Sequence, residues 1–473
     1  MIHINTNIPS MVAARILDAQ NTRLNTSLER LGTGLRINTG KDDPSGLIAS
    51  EALRAQQVAI GAAVYNIARA NNVVASAEGG LDEISNLLTD LEDLIDRSSN
   101  DAAISDDEKA ANQLEIDAVL DSINRIATST EFQGRKLLNG ELDYTTSGVD
   151  ASYFDDVRIN SAKVPNDSYR SVVVEVTASA QLATLTYSAS ATGGTTTTLE
   201  ITGNAGTGTF SFAVGTAIAD VADAVNTSTD LTGVSAVVTG ASELQFYSTN
   251  YGSKQFVSVE ALEGTFAVTG GDAGTYTDYG EDATVHVNGV TAVTDGLSAR
   301  LQTATLAAEF ELSATFGTTP GTTTFQVTGG GADFMISPTI SLNGLASLGI
   351  QALSTSSLGK GSVGYLSSLG SGQTNSVASE NYSIAQRIVR LAQTQVSELR
   401  GRLGAFQKDT LETTSNSLEV TQENISAAES NIREADFAEE TSNLTRQQIL
   451  VQSAAAVLRI ANAQPQQVLT LLQ

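Results

Sequence analysis

Residues 17 to 47 read LDAQNTRLNTSLERLGTGLRINTGKDDPSGL, and the leucines in that stretch decide the architecture. Leu24, Leu28, Leu31 and Leu35 step by 4, 3 and 4, while Leu17, Leu24 and Leu31 lie seven apart. Since a helix turns once in 3.6 residues, that spacing draws one apolar stripe along a helix made to bundle with others. The stripe runs into a connector made of Asn38, Gly40, Asp42, Asp43 and Pro44. Gly40 makes the turn, the two aspartates offer an N-cap, and Pro44 takes the first position of the next helix. Two chemical readings of this segment compete with the structural one. A phosphate loop fails because the Walker pattern is missing and Gly34, Gly40 and Gly46 do not fit a dinucleotide fingerprint. A metal site at Asp42 and Asp43 is less economical than a cap.

Working outward, the same spacing recurs. Leu81, Ile84, Leu88, Leu91 and Ile95 step by 3, 4, 3 and 4, and Ile116, Leu120, Ile123 and Ala127 form a third stripe. Ser105-Asp-Asp-Glu108 is a capping box that starts this third helix. Towards the other end Ile388, Ala392, Gln395 and Leu399 keep the period, with Glu398 and Arg402 spaced for an i,i+4 ion pair. The last arm runs to Pro465. Within it Ala428, Ala435, Ser442, Ile449, Ala456 and Ala463 are seven apart, a narrow seam of mostly small residues, with Ile460 beside it. One such stripe fits an ordinary globular core. Several of them, on arms nearly free of aromatic residues, ask for partner helices, because an arm of about 28 residues spans roughly 42 Å.

Composition divides the 473 residues into three zones. The six prolines stand at 9, 44, 165, 320, 338 and 465, so 45–164 and 339–464 can hold long helices. Residues 151 to 370 hold six basic and nineteen acidic residues and are rich in Thr, Gly, Ser, Ala and Val, with alternating runs such as TFSFAV (209–214) and ATVHVNGV (283–290). Those are strand and turn signatures. The fold class expected is therefore α+β and multidomain: long terminal helices pair into coiled-coil and bundle domains, and a mainly β domain is inserted between them. No cysteine is present, and 53 acidic against 26 basic residues give a net charge of −27. That charge repels nucleic acid and anionic membranes and makes self-association easiest at moderate salt. No apolar run approaches the ~20 residues needed to span a bilayer, so membrane insertion is not expected. MIHINTNIPSMVAARILDAQ (1–20) lacks a basic start, an unbroken apolar run and a cleavage site, so a cleaved secretion signal is not expected either.

Catalysis finds little support. His3 and His286 stand far apart without a spaced ligand set, no H-E-x-x-H or G-x-S-x-G occurs, and Asp155-Asp156 reads as a loop. The expectation is a structural subunit with no catalytic, cofactor or metal site.

Several stretches resemble one family. LERLGTGLRINTGKDDPSGLIASEALRAQ (28–56) looks like the N-terminal signature of bacterial flagellin. The opening MIHINTNIPSMVAARIL, ASAEGGLDEISNLL (75–88), INRIATSTEFQGRKLLNG (123–140), ENISAAESNIREADFAEET (423–441) and QILVQSAAAVLRIANAQPQQVLTLL (448–472) resemble the remaining family motifs in the family's order. The resemblance covers about half the chain. It implies a filament subunit that is exported unfolded through a flagellar type III channel and polymerises under a cap into a helical tube that propels the cell. Residues 1–40 with 434–473 then correspond to the inner coiled-coil arms, and 41–145 with 376–433 to a helical bundle carrying a β-hairpin. Residues 146–375 correspond to a variable surface region. Within that region residues 207–260, which begin GTFSFAVGTAIADVADAVNTSTDLTGVSAVV, resemble the flagellin hook IN motif, with Ile218, Val221, Ala222 and Val225 as the apolar face of its helix.

The implied partners are further copies of the chain, the export apparatus and a flagellin chaperone, and the hook-filament junction and cap proteins. The implied location is the extracellular filament, where surface Thr and Ser hydroxyls could carry glycans. The inner-arm stripes are expected to be disordered in the exported monomer and to fold on assembly. Many flagellins carry basic residues in the helix read by the innate flagellin receptor, but this chain has Thr89-Asp-Leu-Glu-Asp93 there. Inverted charge at Asp90 and Glu92 implies weak receptor activation, against the plainer reading of a solvated helix face. Two rivals remain. A hook-filament junction protein shares the paired arms but fits ANAQPQQVLTLLQ less well, and an adhesin would use 150–375 to bind a surface ligand.

Overall fold

The computed structural model describes residues 6–100, 104–165, 168–271 and 276–471, with side chains as far as Gln464; His3 lies outside them. Nine α-helices form among the described residues: α1 (Ile8–Thr33), α2 (Pro44–Ser98), α3 (Asp106–Ser129), α4 (Ile218–Asn226), α5 (Thr229–Thr232), α6 (Ala314–Gly317), α7 (Tyr382–Ala405), α8 (Thr413–Arg433) and α9 (Phe437–Leu471). A π-helical stretch, Phe406–Glu412, joins α7 to α8. The fold is α+β, with helices toward both ends and mostly strands between. Two compact units can be distinguished: Met1–Arg69, Met335–Gly344 and Asp409–Gln473 make one, and Ala70–Phe334 with Leu345–Lys408 makes the other.

In the first unit α1 and α9 run antiparallel. Asn7 caps α1 by accepting from the Ser10 amide at 3.1 Å, and its side-chain amide donates to the Ala461 carbonyl at 2.9 Å. At the other end the Arg30 guanidinium stands 3.8 Å from Glu440. Helix α1 stops at Gly34, whose φ of 73° closes the last turn onto Arg30.

The second unit holds a helical bundle and two β-sandwiches. All the residues of the stripes Leu81 to Ile95 and Ile116 to Ala127 are buried there, against Ile388, Val389, Ala392, Val396, Leu399 and Leu403 of α7. The capping box forms as a reciprocal pair: Glu108 accepts from the Ser105 amide at 2.9 Å, and the Ser105 hydroxyl accepts from the Glu108 amide at 3.3 Å. Gln395 holds Gly359 by both its amide and its carbonyl, at 2.8 and 2.9 Å. Helix α2 passes unbroken through Gly79-Gly80. A side chain at Gly80 would collide with Leu138 and Thr130, so the glycine admits the segment around the short hairpin Glu131–Phe132/Arg135–Lys136. The Glu398–Arg402 pair does not form. Arg402 points inward instead, and burial lowers its guanidinium pKa from the ordinary value despite Glu309, Glu398 and Asp143 nearby.

One sandwich faces a five-stranded sheet, including Arg170–Ala178 and Gly321–Gly330, with a four-stranded sheet including Leu306–Leu312 and Phe154–Ala162. Its core holds Phe154, Phe310, Phe325 and a row of valines. The other pairs two four-stranded sheets and covers them with α4, whose Ile218, Val221, Ala222 and Val225 are all buried. The strand expected at 209–214 is Thr207–Phe212, and Val214 beyond it is exposed.

Candidate assembly surface

The breaks between α1 and α2 and between α8 and α9 lie side by side. Leu35 forms an isolated antiparallel bridge with Glu434. The Ala435 amide donates to Gly34 at 3.0 Å and the Arg36 amide to Arg433 at 2.7 Å, while the Arg36 guanidinium donates to the Ile432 carbonyl at 2.6 Å. Arg433 in turn reaches Glu51 at 2.9 Å. Two turns that would each leave helix-end groups open thus satisfy one another.

Within the connector the aspartates divide their work. One Asp42 oxygen accepts from the amides of Asn38 and Thr39 at 3.2 and 2.9 Å and from the Thr39 hydroxyl at 3.0 Å. Its pKa is lowered, chiefly by the Thr39 amide. Asp43 caps α2 by accepting from the Gly46 amide at 2.9 Å, and that bond does most to lower its pKa. Pro44 is the first helical residue, and the Asn38 side chain donates to the Leu35 carbonyl at 3.3 Å. Both aspartates are thus engaged by the chain itself, and no group of three or more His, Cys, Asp or Glu able to hold a metal occurs among the described residues.

Along the arms burial repeats in steps of 3 and 4. On α1 the inward row is Ser10, Ala13, Leu17, Gln20, Leu24, Ser27 and Leu31; on α9 it is Glu440, Leu444, Gln447, Val451, Ala454, Leu458 and Ala461. Leu17, Leu24 and Leu31 lie in this seam, half-buried, and Leu28 is outside it and exposed. The small-residue row picked out by spacing is not the one that faces α1. Ala435, Ala456 and Ala463 are half-buried, but Ile449 is 58% exposed and Ile460 64%. Helix α1 shows the same asymmetry, with Ile8 59% and Met11 70% exposed, and Val12 and Ile16 beside them. The pair therefore closes on small, polar and leucine side chains and Val451, while its isoleucines and Met11 face out. Such a surface is unusual on a chain that remains single.

The remaining candidates are separate from the arms. Glu92 accepts from Arg390 at 2.8 Å and Gln393 at 2.9 Å, bonds that lower its pKa, so it is more than a solvated face; Asp90 is exposed. His286 lies on a strand, with its Nδ1 3.2 Å from the Thr291 hydroxyl. Asp156 pairs with Arg158 at 2.7 Å. None of these brings together a nucleophile, a base and a pocket. Among the described residues no helix is long and apolar enough to cross a membrane.

Family sequence models match in three places: the bacterial flagellin N-terminal helical region at 4–143, the C-terminal helical region at 367–472, and the flagellin hook IN motif at 198–250. The two helical regions take in the arms, the joint and the bundle helices together. The chain belongs to the bacterial flagellin family. Flagellin E of Vibrio cholerae serotype O1 is 29% identical over 99% of both chains, and B-type flagellin of Pseudomonas aeruginosa is likewise 29% identical over 99% of both. Polar flagellin F of Vibrio parahaemolyticus is 37% identical over 35% of this chain and 44% of its own. The solved structure of FliC from Burkholderia pseudomallei aligns with 72% of this chain at 16% identity and a TM-score of 0.24. This flagellin is a structural subunit of the flagellar filament, the organelle of motility. Its IN motif begins some nine residues earlier than 207, because the strand Thr197–Gly203 pairs with Thr207–Phe212 as part of the same unit.

Proposed function

We propose that this flagellin builds its filament through the outward faces of α1 and α9. Ile449 and Ile460, together with the outward residues of α1, meet neighbouring copies, while Leu17, Leu24 and Leu31 hold the pair to α9. In this reading 1–40 and 434–473 line the inner tube, 41–145 and 376–433 form the layer around it, and 146–375 faces the medium. Leu28, Leu35, Ala435, Ala456 and Ala463 border the contact, and the Asn38 to Pro44 connector fixes the angle between layers. What supports this most is one observation: the paired arms leave Ile8, Met11, Ile449 and Ile460 more than half exposed. Burying such a side chain is worth about 1.5–3 kcal/mol, a gain the lone chain forgoes and a polymer collects at every subunit.

The family membership supports the remaining features. The chain is exported without a cleaved signal, is held by a chaperone on the way, and joins a filament bounded by junction and cap proteins. Asp90 and Glu92 weaken activation of the innate receptor, and a cell reporter assay in which this chain matched a strongly stimulating flagellin would end that part of the reading.

The test of the assembly surface is a pair of substitutions, Ile449→Asp and Ile460→Asp, followed by seeded growth scored by electron microscopy. Free-chain stability should move by less than about 0.5 kcal/mol, as for other exposed sites, while filaments fail to elongate. Normal filaments from the double variant would contradict the proposal.

A further inference from the structure

The strand Val234–Val238 is the outer member of a four-stranded sheet in the sandwich that α4 covers, and it pairs antiparallel with Leu244–Ser248. An outer strand turns the N–H and C=O of every second residue away from its neighbour. Here one such residue is Ala236, itself buried, and both of its outward groups are taken by a single side chain. The Ala236 amide donates to the Asn226 Oδ1 at 2.8 Å, and the Asn226 Nδ2 donates to the Ala236 carbonyl at 2.8 Å. Asn226 ends α4, and its amide sets an acceptor and a donor side by side as a residue of an adjoining strand would. Two residues earlier along the same edge, the Val234 amide donates to the Thr232 hydroxyl at 3.2 Å.

Beyond these two side chains the edge lacks the usual protection of charge, proline or a bulge. Both outer strands of the sheet containing Leu306–Leu312 carry charge, with Asp155, Asp156 and Arg158 in Phe154–Ala162 and Asp295 in Val293–Asp295. From Leu231 to Ser242 the sequence LTGVSAVVTGAS has no charged residue and no proline, and Val234–Val238 runs beside its neighbour without a break in register. Its Val237 side chain is exposed, and the segment has the β propensity and lack of charge that favour strand-to-strand association. The identical strand of another copy fits such an edge, and it brings no charge of its own to oppose pairing even though each chain carries −27. We infer that Asn226 closes this edge to neighbouring copies, so that subunits displayed side by side do not pair through their outer domains. A filament repeats the edge at every subunit, so even a weak pairing would be multiplied along two filaments in contact. The inference rests on the reading that 146–375 faces the medium, and it adds the residue that keeps that surface from adhering to itself.

The experiment compares the wild-type chain with Asn226→Ala and with Asn226→Ala/Val237→Lys, in which a charge protects the edge and neither hydrogen bond is restored. Association of the unseeded chains is followed by sedimentation velocity, and grown filaments are scored for bundling by electron microscopy. Asn226→Ala should raise the bundled fraction roughly tenfold, and the dimer fraction of the free chain with it. Adding Val237→Lys should return both to wild-type values. A side chain that only anchors α4 would instead lower the unfolding midpoint, leave association unchanged and gain nothing from Val237→Lys. Amide exchange at Val221 and Val225 checks that α4 stays docked. If the alanine form loses that protection, Asn226→Gln, which keeps the amide but displaces it by one methylene, is held to the same outcomes. Dispersed filaments with a wild-type dimer fraction overturn the inference, as does association that Val237→Lys leaves in place. Failure of the outward placement is read separately. The chain has no cysteine, so a maleimide unable to label Ser242→Cys in intact filaments would contradict that placement, while the free-chain dimer fraction still judges Asn226.

Discussion

Two helical regions of this flagellin carry the same heptad spacing and treat it in opposite ways. In the bundle, Leu81, Ile84, Leu88, Leu91 and Ile95 vanish completely or almost completely from solvent, closed over by α3 and α7 of the same chain. In the arms, Leu17, Leu24 and Leu31 are half covered by α9, and Ile449 and Ile460 remain mostly exposed. Spacing therefore says that a helix will bundle, and the inventory of partners says with whom. The bundle finds its partners within the chain. The arms find only half of theirs, which is the physical content of being a subunit.

The sharpest way to break this comparison is to truncate one leucine in each region. Leu88→Ala should cost about 3–5 kcal/mol in denaturant unfolding of the free chain, since the cavity cannot collapse inside a closed bundle. Leu24→Ala should cost the free chain under about 1 kcal/mol and yet weaken seeded filament growth. If both substitutions destabilised the free chain alike, the arms would be an ordinary core. Helix caps give a milder version of the same contrast. Ser105→Ala removes one half of the box that starts α3 and should cost about 1 kcal/mol of free-chain stability. Asn7→Ala, which removes a cap from α1, should leave that unfolding midpoint in place and show its effect only in filaments.

The smallest effect belongs to Glu92. Hydrogen bonds from Arg390 and then Gln393 hold its pKa below the usual 4.5. A lowered carboxyl pKa favours the folded state above the ordinary value and loses that contribution as pH falls through the folded one. Glu92→Gln should therefore lower free-chain stability at pH 7 by under about 1 kcal/mol, the scale of an exposed pair. The gap to wild type should close below about pH 4, checked by denaturant titration at both pH values.

Much of this was legible in the sequence, for reasons that differ along the chain. The bundle stripes, the Ser105 box and the apolar face of α4 could be read because each helix has one apolar side and one way to bury it. The α9 seam could not be located, because the helix is apolar on more than one side. Rows seven apart pass through Ala435, Ile449 and Ala463, through Leu444, Val451 and Leu458, and through Glu440, Gln447 and Ala454. Only the last two face α1, and the row of small residues picked out by spacing is the other one. The 4, 3 alternation from Glu440 to Ala461 was the available signal, hidden by a glutamate and a glutamine at positions expected to be apolar. Arg402 was misplaced because i,i+4 spacing assumes that both side chains stay at the surface, and Arg402 turns inward while Glu398 remains exposed. The pairing of the two joints, Leu35 with Glu434, could not be read at all, since it links segments almost four hundred residues apart.

Amide hydrogen exchange on the free chain and on the filament tests the central claim most directly. Residues 8–33 and 437–464 should exchange rapidly in the free chain and become protected in the filament, while α3 and α7 stay protected in both. Arms already as well protected as the bundle in the free chain would contradict the account.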